Sequence, residues 1–211
     1  FDLGKNLWIG SHDNGIFAKI QGTWRSISSR DGLLLNAAET ISQDWDNSIW
    51  AASWGGICRW DGLGFQSFGL KKYTGTYNVR QLIGSRDSFW YFTAYGAHMS
   101  KGSEWAHYTE NEGLASNDVL CGYIDNGGRV YAGTVSGLSI LENGVPVTFS
   151  IPNVPFGHDF ISLAVDGKGR LLAGSEGSGV SILDSGLWGR PAGPDEKSFD
   201  TVRSFVIGPD S

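Results

Sequence analysis

The chain has 211 residues, a formal net charge of −6 and 31 glycines, and its nine tryptophans, seven tyrosines and eleven phenylalanines make it rich in aromatic side chains. With 18% charged residues it is a poor candidate for coiled coils, and its acidic balance offers no electrostatic attraction to nucleic acid. No stretch approaches the roughly 18 consecutive apolar residues of a membrane span, so we expect no membrane insertion in this segment. The composition favours one all-β globular domain over residues 1–211.

A unit of about 41 residues repeats along the chain and is visible at four positions of the pattern. The centre of an apolar strand recurs at Trp8, Trp50, Trp90, Tyr131 and Leu172, at spacings of 42, 40, 41 and 41. A glycine recurs at Gly15, Gly56, Gly96, Gly137 and Gly179. A third position holds Trp24, Phe65, Trp105, Pro146 and Trp188. Six residues before the strand centres stand Asp2, Asp44, Gly84, Asp125 and Asp166.

Each repeat contains short strand-like runs separated by glycine-rich turns. In the fourth repeat we predict strands at Val119–Ile124, Arg129–Thr134, Leu138–Leu141 and Pro146–Phe149. Four strands in about 41 residues are typical of a β-propeller blade. We therefore predict an all-β propeller of five four-stranded blades. Their approximate ranges are 1–30 together with 201–211, then 36–70, 77–110, 117–150 and 158–190.

The two ends of the chain predict how the propeller closes. Val202–Ile207 has the pattern of an inner strand without partners, whereas the first repeat has only Phe1-Asp2 where its inner strand is expected. We predict that Val202–Ile207 pairs with the strand within Asn6–Ser11 and closes a ring of five, because pairing removes two open edges. The alternative is a five-blade section of a larger ring.

The amino-acid pattern of the repeat resembles that of a known family. Asn6-Leu7-Trp8-Ile9-Gly10-Ser11 is followed by Asn14-Gly15-Ile16, by Trp24, and by Asp31-Gly32-Leu33 with Asn36, and the third repeat ends similarly in Glu112-Gly113-Leu114-Ala115-Ser116-Asn117. This pattern resembles the two-component regulator propeller repeat. The resemblance implies an extracytoplasmic sensor propeller of a bacterial signalling protein, in the periplasm or outside the cell, that senses a ligand or partner.

Residues that carry chemistry are few. His12, His98, His107 and His158 form no His-x-x-x-His or His-Glu-x-x-His pattern, so no helix-borne zinc site is predicted. Asp44-Trp45-Asp46-Asn47 lacks the other ligands of a calcium loop and is interpreted as a turn. Cys58 and Cys121 are interpreted as free structural thiols. We predict no metal, no cofactor and no catalytic residue.

Loop geometry is the better guide to a binding site. The loops between second and third strands, and the connections between blades, lie on one face of a propeller. They predict a ligand-binding set of His12, Asp13, Trp54, Tyr95, Glu176, Tyr77 and His158. Exposed aromatic rings beside charged groups are typical of a binding rim. The alternative for Trp54 and Tyr95 is that they fill the wedges between blades.

These features favour a binding module, monomeric as an isolated domain, whose partner is a small molecule, a glycan or a protein. One alternative is a lyase or hydrolase at the channel mouth, with His12 or His158 as base and Glu176 as acid. Another is a lectin with one equivalent sugar site per blade. The lectin is disfavoured because the equivalent loop positions do not match, since they hold Asp13, Trp54, Tyr95, Ser136 and Glu176.

Overall fold

The computed structural model describes residues 1–44, 46–68, 79–85, 88–101, 104–142, 145–149, 159–191 and 201–208. Within these ranges the chain contains nineteen strands in five antiparallel sheets, one turn of 3-10 helix at Ser29–Asp31, and no α-helix. In every sheet, strands that are neighbours in the sequence are also hydrogen-bonded neighbours. Each sheet is therefore built from one repeat, as predicted.

The strands pass through the five sheets in chain order. The first sheet contains β1 (Leu7–Gly10), β2 (Ile16–Ile20) and β3 (Thr23–Ile27). The second contains β4 (Thr40–Gln43), β5 (Ile49–Ser53), β6 (Gly56–Trp60) and β7 (Phe65–Phe68). The third contains β8 (Val79–Gly84), β9 (Phe89–Thr93), β10 (Gly96–Lys101) and β11 (Glu104–Tyr108). The fourth contains β12 (Val119–Ile124), β13 (Val130–Thr134), β14 (Gly137–Glu142) and β15 (Val145–Phe149). The fifth contains β16 (Phe160–Val165), β17 (Leu171–Ser175), β18 (Gly179–Asp184) and β19 (Leu187–Gly189).

The chain divides into two compact units, Phe1–His107 and Tyr108–Ser211. In the first unit, Ile16, Ala18 and Ile27 of the first sheet pack against Ala51 and Cys58 of the second. In the second unit, residues of the fourth and fifth sheets share one core. That core contains Tyr131, Leu138, Ile140, Phe160, Leu171 and Ala173. Within each unit the apolar faces of successive sheets bury one another, which is what stabilises a stack of short sheets.

The aspartate of the repeat has a structural role. Asp2 accepts hydrogen bonds from the Asn6 backbone N–H at 2.8 Å and from the Trp8 indole Nε1 at 2.9 Å. One repeat later, Asp44 accepts from the Ser48 backbone N–H at 2.9 Å and from Trp50 Nε1 at 2.6 Å. One carboxylate therefore closes the turn before the strand and fixes the ring at the strand centre.

In the other repeats the residue before the strand has the same role but different hydrogen-bonding partners. Asp125 accepts from the Tyr131 hydroxyl at 3.2 Å, and Asp166 accepts from Arg170 Nε at 2.8 Å. The third repeat has glycine at the aspartate position, and there the Ser88 hydroxyl accepts from Trp90 Nε1 at 3.1 Å. The interpretation of Asp44 as turn chemistry rather than a calcium ligand agrees with these bonds.

Two of the connections between sheets share the same capping hydrogen bonds. After the first sheet, Asp31 accepts from the Ser28 backbone N–H at 2.9 Å, and Asn36 Oδ1 accepts from the Ser29 backbone N–H at 2.8 Å. The same bonds recur 81 residues later. There Glu112 accepts from Thr109 at 2.8 Å and Asn117 accepts from Glu110 at 2.8 Å. The acidic residue and the asparagine of the connection motif therefore cap a turn.

Both cysteines are free and buried. Burial raises the pKa of the Cys58 thiol, and it raises the pKa of Cys121 to about 12. The Cys121 Sγ lies 3.1 Å from the carbonyl oxygen of Phe160 in the next sheet and donates to it. Neutral thiols in these settings are poor nucleophiles, which agrees with the interpretation as structural residues.

The predicted pairing of Val202–Ile207 with the first sheet is not confirmed. Residues 202–208 have no strand assignment, and the described part of the first sheet has three strands rather than four. Thr201 forms an isolated bridge with Glu176, the Val202 N–H donates to Ser175 O at 3.2 Å, and the Val202 carbonyl accepts from Ser162 Oγ at 2.6 Å. This segment therefore begins with contacts to the fifth sheet, and residues 203–208 continue without regular strand geometry.

Candidate functional site

Three of the predicted site residues lie together in the first unit. His12, Asp13 and Trp54 line a surface cavity of about 320 Å³, together with four residues of the connection that follows the first sheet. These four are Leu35, Asn36, Ala37 and Glu39. His12 and Asp13 stand in the β1–β2 loop, and Trp54 stands in the turn between β5 and β6. Loops of two adjacent sheets and the connection between them therefore form the cavity.

The backbone around this cavity is firmly held. The Gly15 N–H donates to Asn36 O at 2.8 Å, and the Ala38 N–H donates to Ser11 O at 2.8 Å. The Glu39 N–H donates to Ala52 O at 2.9 Å. These bonds tie the connection to the β1–β2 loop on one side and to β5 on the other. The cavity is therefore a preformed feature of the fold.

The side chains of the cavity combine one histidine–carboxylate hydrogen bond with an exposed ring. His12 Nδ1 lies 2.9 Å from Glu39 Oε1, and the His12 ring meets the Trp54 ring edge-on with centroids 6.2 Å apart. Trp54 is 62% exposed, and Leu35 beside it is 44% exposed. An apolar surface of this kind, left open to water next to polar groups, can desolvate a ligand and orient it.

Exposure also decides between the two interpretations of the loop aromatics. A side chain that fills the wedge between two sheets is buried, whereas Trp54 and Tyr95 are each 62% exposed. The wedge interpretation is therefore wrong for both. The rings that do pack inside are those of the strand centres, such as Trp8, which meets Trp60 with centroids 5.6 Å apart.

Tyr95 and Glu176 are not among the residues that line this cavity. Tyr95 lies in the turn between β9 and β10, and its carbonyl oxygen accepts a hydrogen bond from His107 Nε2 at 3.0 Å. Glu176 belongs to the second unit, where its N–H donates to Asp159 O at 3.2 Å. Tyr77 and His158 lie outside the described residues. The role of all four in binding stays a prediction.

Sequence reasoning missed the contribution of the connection. Leu35, Asn36, Ala37 and Glu39 line the cavity but were assigned to no site. One signal was available, since the matching connection after the third sheet carries Ser116 where this one carries Leu35. Ser116 is buried, whereas Leu35 is 44% exposed, so part of the apolar side chain of Leu35 is left open to water.

Two further cavities lie in the second unit. One of about 410 Å³ is lined by Arg170, Asp184, Trp188 and Arg190 among others, at the outer edge of the fifth sheet. One of about 260 Å³ lies beside the Asp125 turn, with Arg129 and Glu142. Neither contains a predicted site residue. Among the residues that the structure describes, no group of three or more His, Cys, Asp or Glu side chains could hold a metal ion.

Solved structures resemble this chain over most of its length. The extracellular domain of a protein of B. thetaiotaomicron, described as a hybrid two component system, is 16% identical and superposes with a TM-score of 0.76, over 95% of this chain and 29% of that one. PorZ, a surface component of the type-IX secretion system of Porphyromonas gingivalis, is 16% identical with a TM-score of 0.72, over 99% and 37%. Virginiamycin B lyase from Staphylococcus aureus is 14% identical with a TM-score of 0.69, over 89% and 66%.

The sheets are blades of a β-propeller fold. The β-propeller fold implied by the resemblance to the two-component regulator propeller repeat is thereby confirmed, and two of the similar structures are described as extracellular domains. No family model and no curated protein matches the chain. This chain corresponds to about a third of the length of the first two proteins described above. Among its described residues, no helix has the length and apolar character needed to cross a membrane.

Proposed function

We propose that this propeller is a non-catalytic binding module of a sensor protein, in the periplasm or outside the cell. Its binding site includes the cavity of His12, Asp13, Glu39 and Trp54. The exposed Trp54 ring at the cavity carries the proposal, because burying such a ring against a ligand is favourable and nothing in the packing of the repeat requires its exposure. The likeness to extracellular domains of two-component systems supports the same assignment.

An enzyme is the second candidate, since a lyase shares the fold. The His12–Glu39 pair has the geometry of a histidine oriented by a carboxylate, which is one element of acid–base chemistry. The seven described lining residues include no Ser, Cys, Thr or Lys that could act as a nucleophile. The His12 side chain is also 75% exposed, so water surrounds most of the ring. Solvent weakens the electrostatic interactions by which such a ring could stabilise a transition state. Binding is the better supported role.

We expect ligand binding to depend on the Trp54 side chain. Small molecules and oligosaccharides that raise the Tm of the wild-type protein are expected to lose that effect in Trp54→Ala. The variant itself is expected to keep its Tm within about 2 °C, because an exposed side chain contributes little to folding. Thermal shift identifies the ligands, and calorimetric titration measures the loss of affinity, which we expect to be at least tenfold.

Tyr95→Ala provides the matched control. Its ring is as exposed as that of Trp54 but does not line the cavity, so ligands of the cavity should bind this variant normally. Ligands that still bind Trp54→Ala, and instead need Tyr95, would move the site to another loop.

Ring closure by the C-terminal segment is part of this proposal. Val202 occupies the repeat position of Ala38, Val79, Val119 and Phe160, each of which begins the inner part of a blade. Val202 accepts from Ser162 on the fifth sheet, as Phe160 accepts from Cys121 on the fourth. These matching contacts support the proposal that Val202 lies where the inner strand of a further blade would begin, which we assign to the first repeat.

We expect the protein to need the C-terminal segment for stability. A chain that ends at Asp200 is expected to aggregate or unfold, because it leaves the Ser162 hydroxyl without its carbonyl partner and uncovers Gly174. Size-exclusion chromatography and thermal unfolding measure the outcome, with a chain that ends at Gly208 as the control. A truncated protein that stays monomeric with an unchanged Tm would show that the segment closes nothing.

A further inference from the structure

The cavity beside Trp54 has an unbalanced charge. Its lining contains two carboxylates, Asp13 and Glu39, and one imidazole, His12, with no Lys or Arg among the described lining residues. Even with His12 protonated and paired to Glu39, one negative charge remains. The rest of the wall is mainly apolar, with Trp54, Leu35 and Ala37 beside the one amide residue Asn36.

We propose that this cavity binds a compact organic cation, of the quaternary ammonium or substituted ammonium class. The inference rests on the proposed binding function and names the chemistry of its ligand. A cation with apolar substituents gains from both parts of the wall. Its charge is attracted to the face of the indole and to the carboxylates, and its alkyl groups cover the Trp54 and Leu35 surfaces.

The indole is suited to this role by position as well as by exposure. The centroid of the His12 ring lies 6.2 Å from that of the indole at an interplanar angle of 72°, so the two rings do not stack face to face. Trp54 is the largest aromatic side chain and the one whose face attracts cations most strongly. The 62% exposure of the ring means that a ligand can reach it without displacing another part of the protein.

Size and charge exclude other ligand classes. A cavity of about 320 Å³ lies at the lower end of small-molecule sites, so the ligand is compact. An anion would be repelled by Asp13 and Glu39, since neither carboxylate faces a guanidinium or ammonium group in the lining. A neutral ligand of the same shape would use only the apolar wall. The charge of the ligand should therefore determine much of its affinity.

Choline and its neutral isostere 3,3-dimethyl-1-butanol separate these possibilities, because they share shape and differ in charge. We expect choline to bind at least tenfold more tightly, measured by shifts of the Trp54 indole resonance in an NMR titration, with that resonance assigned from Trp54→Phe. The double variant Asp13→Asn with Glu39→Gln should remove the preference for the cation. Trp54→Ala, in which calorimetric titration replaces the indole resonance as the readout, should weaken the binding of both probes, and Tyr95→Ala should change neither.

The outcomes distinguish the ligand class from the binding function. Equal binding of the two probes, or a preference that survives in the double variant, overturns the assignment of a cation. Failure of choline to bind at any accessible concentration overturns it as well. If neutral or anionic compounds then bind in a Trp54-dependent manner, the proposed function stands without the cation. If no compound does so, the proposed function falls with it.

Discussion

Replacing Gly133 by alanine is expected to lower the free energy of unfolding by about 2 kcal/mol or more. A Cβ at this position of β13 would lie 2.6 Å from Cys121 Sγ and 2.8 Å from the carbonyl oxygen of Phe160 in the adjacent sheet. The carbonyl belongs to the backbone of β16 and cannot turn away as a flexible side chain can. The fourth and fifth sheets would have to separate, and their shared core would lose contact.

Urea unfolding of the variant and the wild type measures this loss. Gly189→Ala is the matched control, since a Cβ there meets no heavy atom within 4 Å and the glycine does not need a left-handed backbone. Adding Cys121→Ala to Gly133→Ala should restore only part of the stability, because the clash with Phe160 O remains. An alanine variant as stable as the wild type would mean that close sheet packing at this position is not required.

Much of the fold could be predicted from the sequence because each repeated residue has a local role. The aspartate before each strand bonds a ring or side chain six or four residues later, so its spacing follows directly from the turn it closes. Gly133 and Gly174 could be predicted as close-approach positions for the same reason, since the repeat brings a carbonyl oxygen against both. The aspartate recurs in four of the five repeats, and a small residue at the close-approach position also recurs in four, so the two signals reinforce each other.

The end of the chain could not be predicted in the same way. Val202 follows the repeat, and its contacts with Ser162 and Gly174 are those that the spacing requires. Beyond it, strand conformation depends on a partner strand, and alternation of apolar residues does not show which partner is present. Val206 is 95% exposed, so the apolar pattern there is not satisfied by burial.

The loop residues of the candidate site could be predicted from the sequence, but the residues of the connection could not. Loop position and residue type were enough to select His12, Asp13 and Trp54, because rims of propellers are built from such loops. Glu39 and Leu35 were missed because they stand in a connection whose neighbours Ser28, Asp31 and Asn36 have capping roles. A capping motif explains the polar residues of a connection and gives no indication of where its remaining side chains point.

His98 makes the stability of the first unit sensitive to acid. Its ring is 1% exposed and lies between the rings of Tyr91 and His107, with centroid distances of 4.8 and 4.3 Å. The Thr93 hydroxyl donates to Gly96 O, so His98 Nε2 donates to Thr93 Oγ1 at 3.1 Å and the neutral ring keeps its lone pair on Nδ1. In the described structure that buried nitrogen has no hydrogen-bond partner. Protonation would therefore bury a charge without an acceptor.

Burial lowers the pKa of His98 to about 3, and repulsion from His107 adds to the effect. Between the unfolded value of 6.5 and this folded value, the unfolded chain binds a proton that the folded chain does not. The stabilising contribution is therefore complete above pH 6.5 and is lost as the pH falls, at about 1.4 kcal/mol per pH unit. We expect the free energy of unfolding to fall by about 2 kcal/mol between pH 6.5 and 5 from this residue alone.

The window from pH 6.5 to 5 separates His98 from the carboxylates, whose ordinary pKa values near 4 place their titration at lower pH. Urea unfolding at several pH values measures the slope, and His98→Gln should flatten it, although this variant is also expected to be less stable at neutral pH. His107→Gln should leave most of the slope, because burial and not the neighbouring charge is the main cause of the shift. The exposed His12 provides a further control, since His12→Gln removes an exposed imidazole without changing the core. A His98→Gln protein with the wild-type slope would show that the buried ring accepts its proton in the folded state.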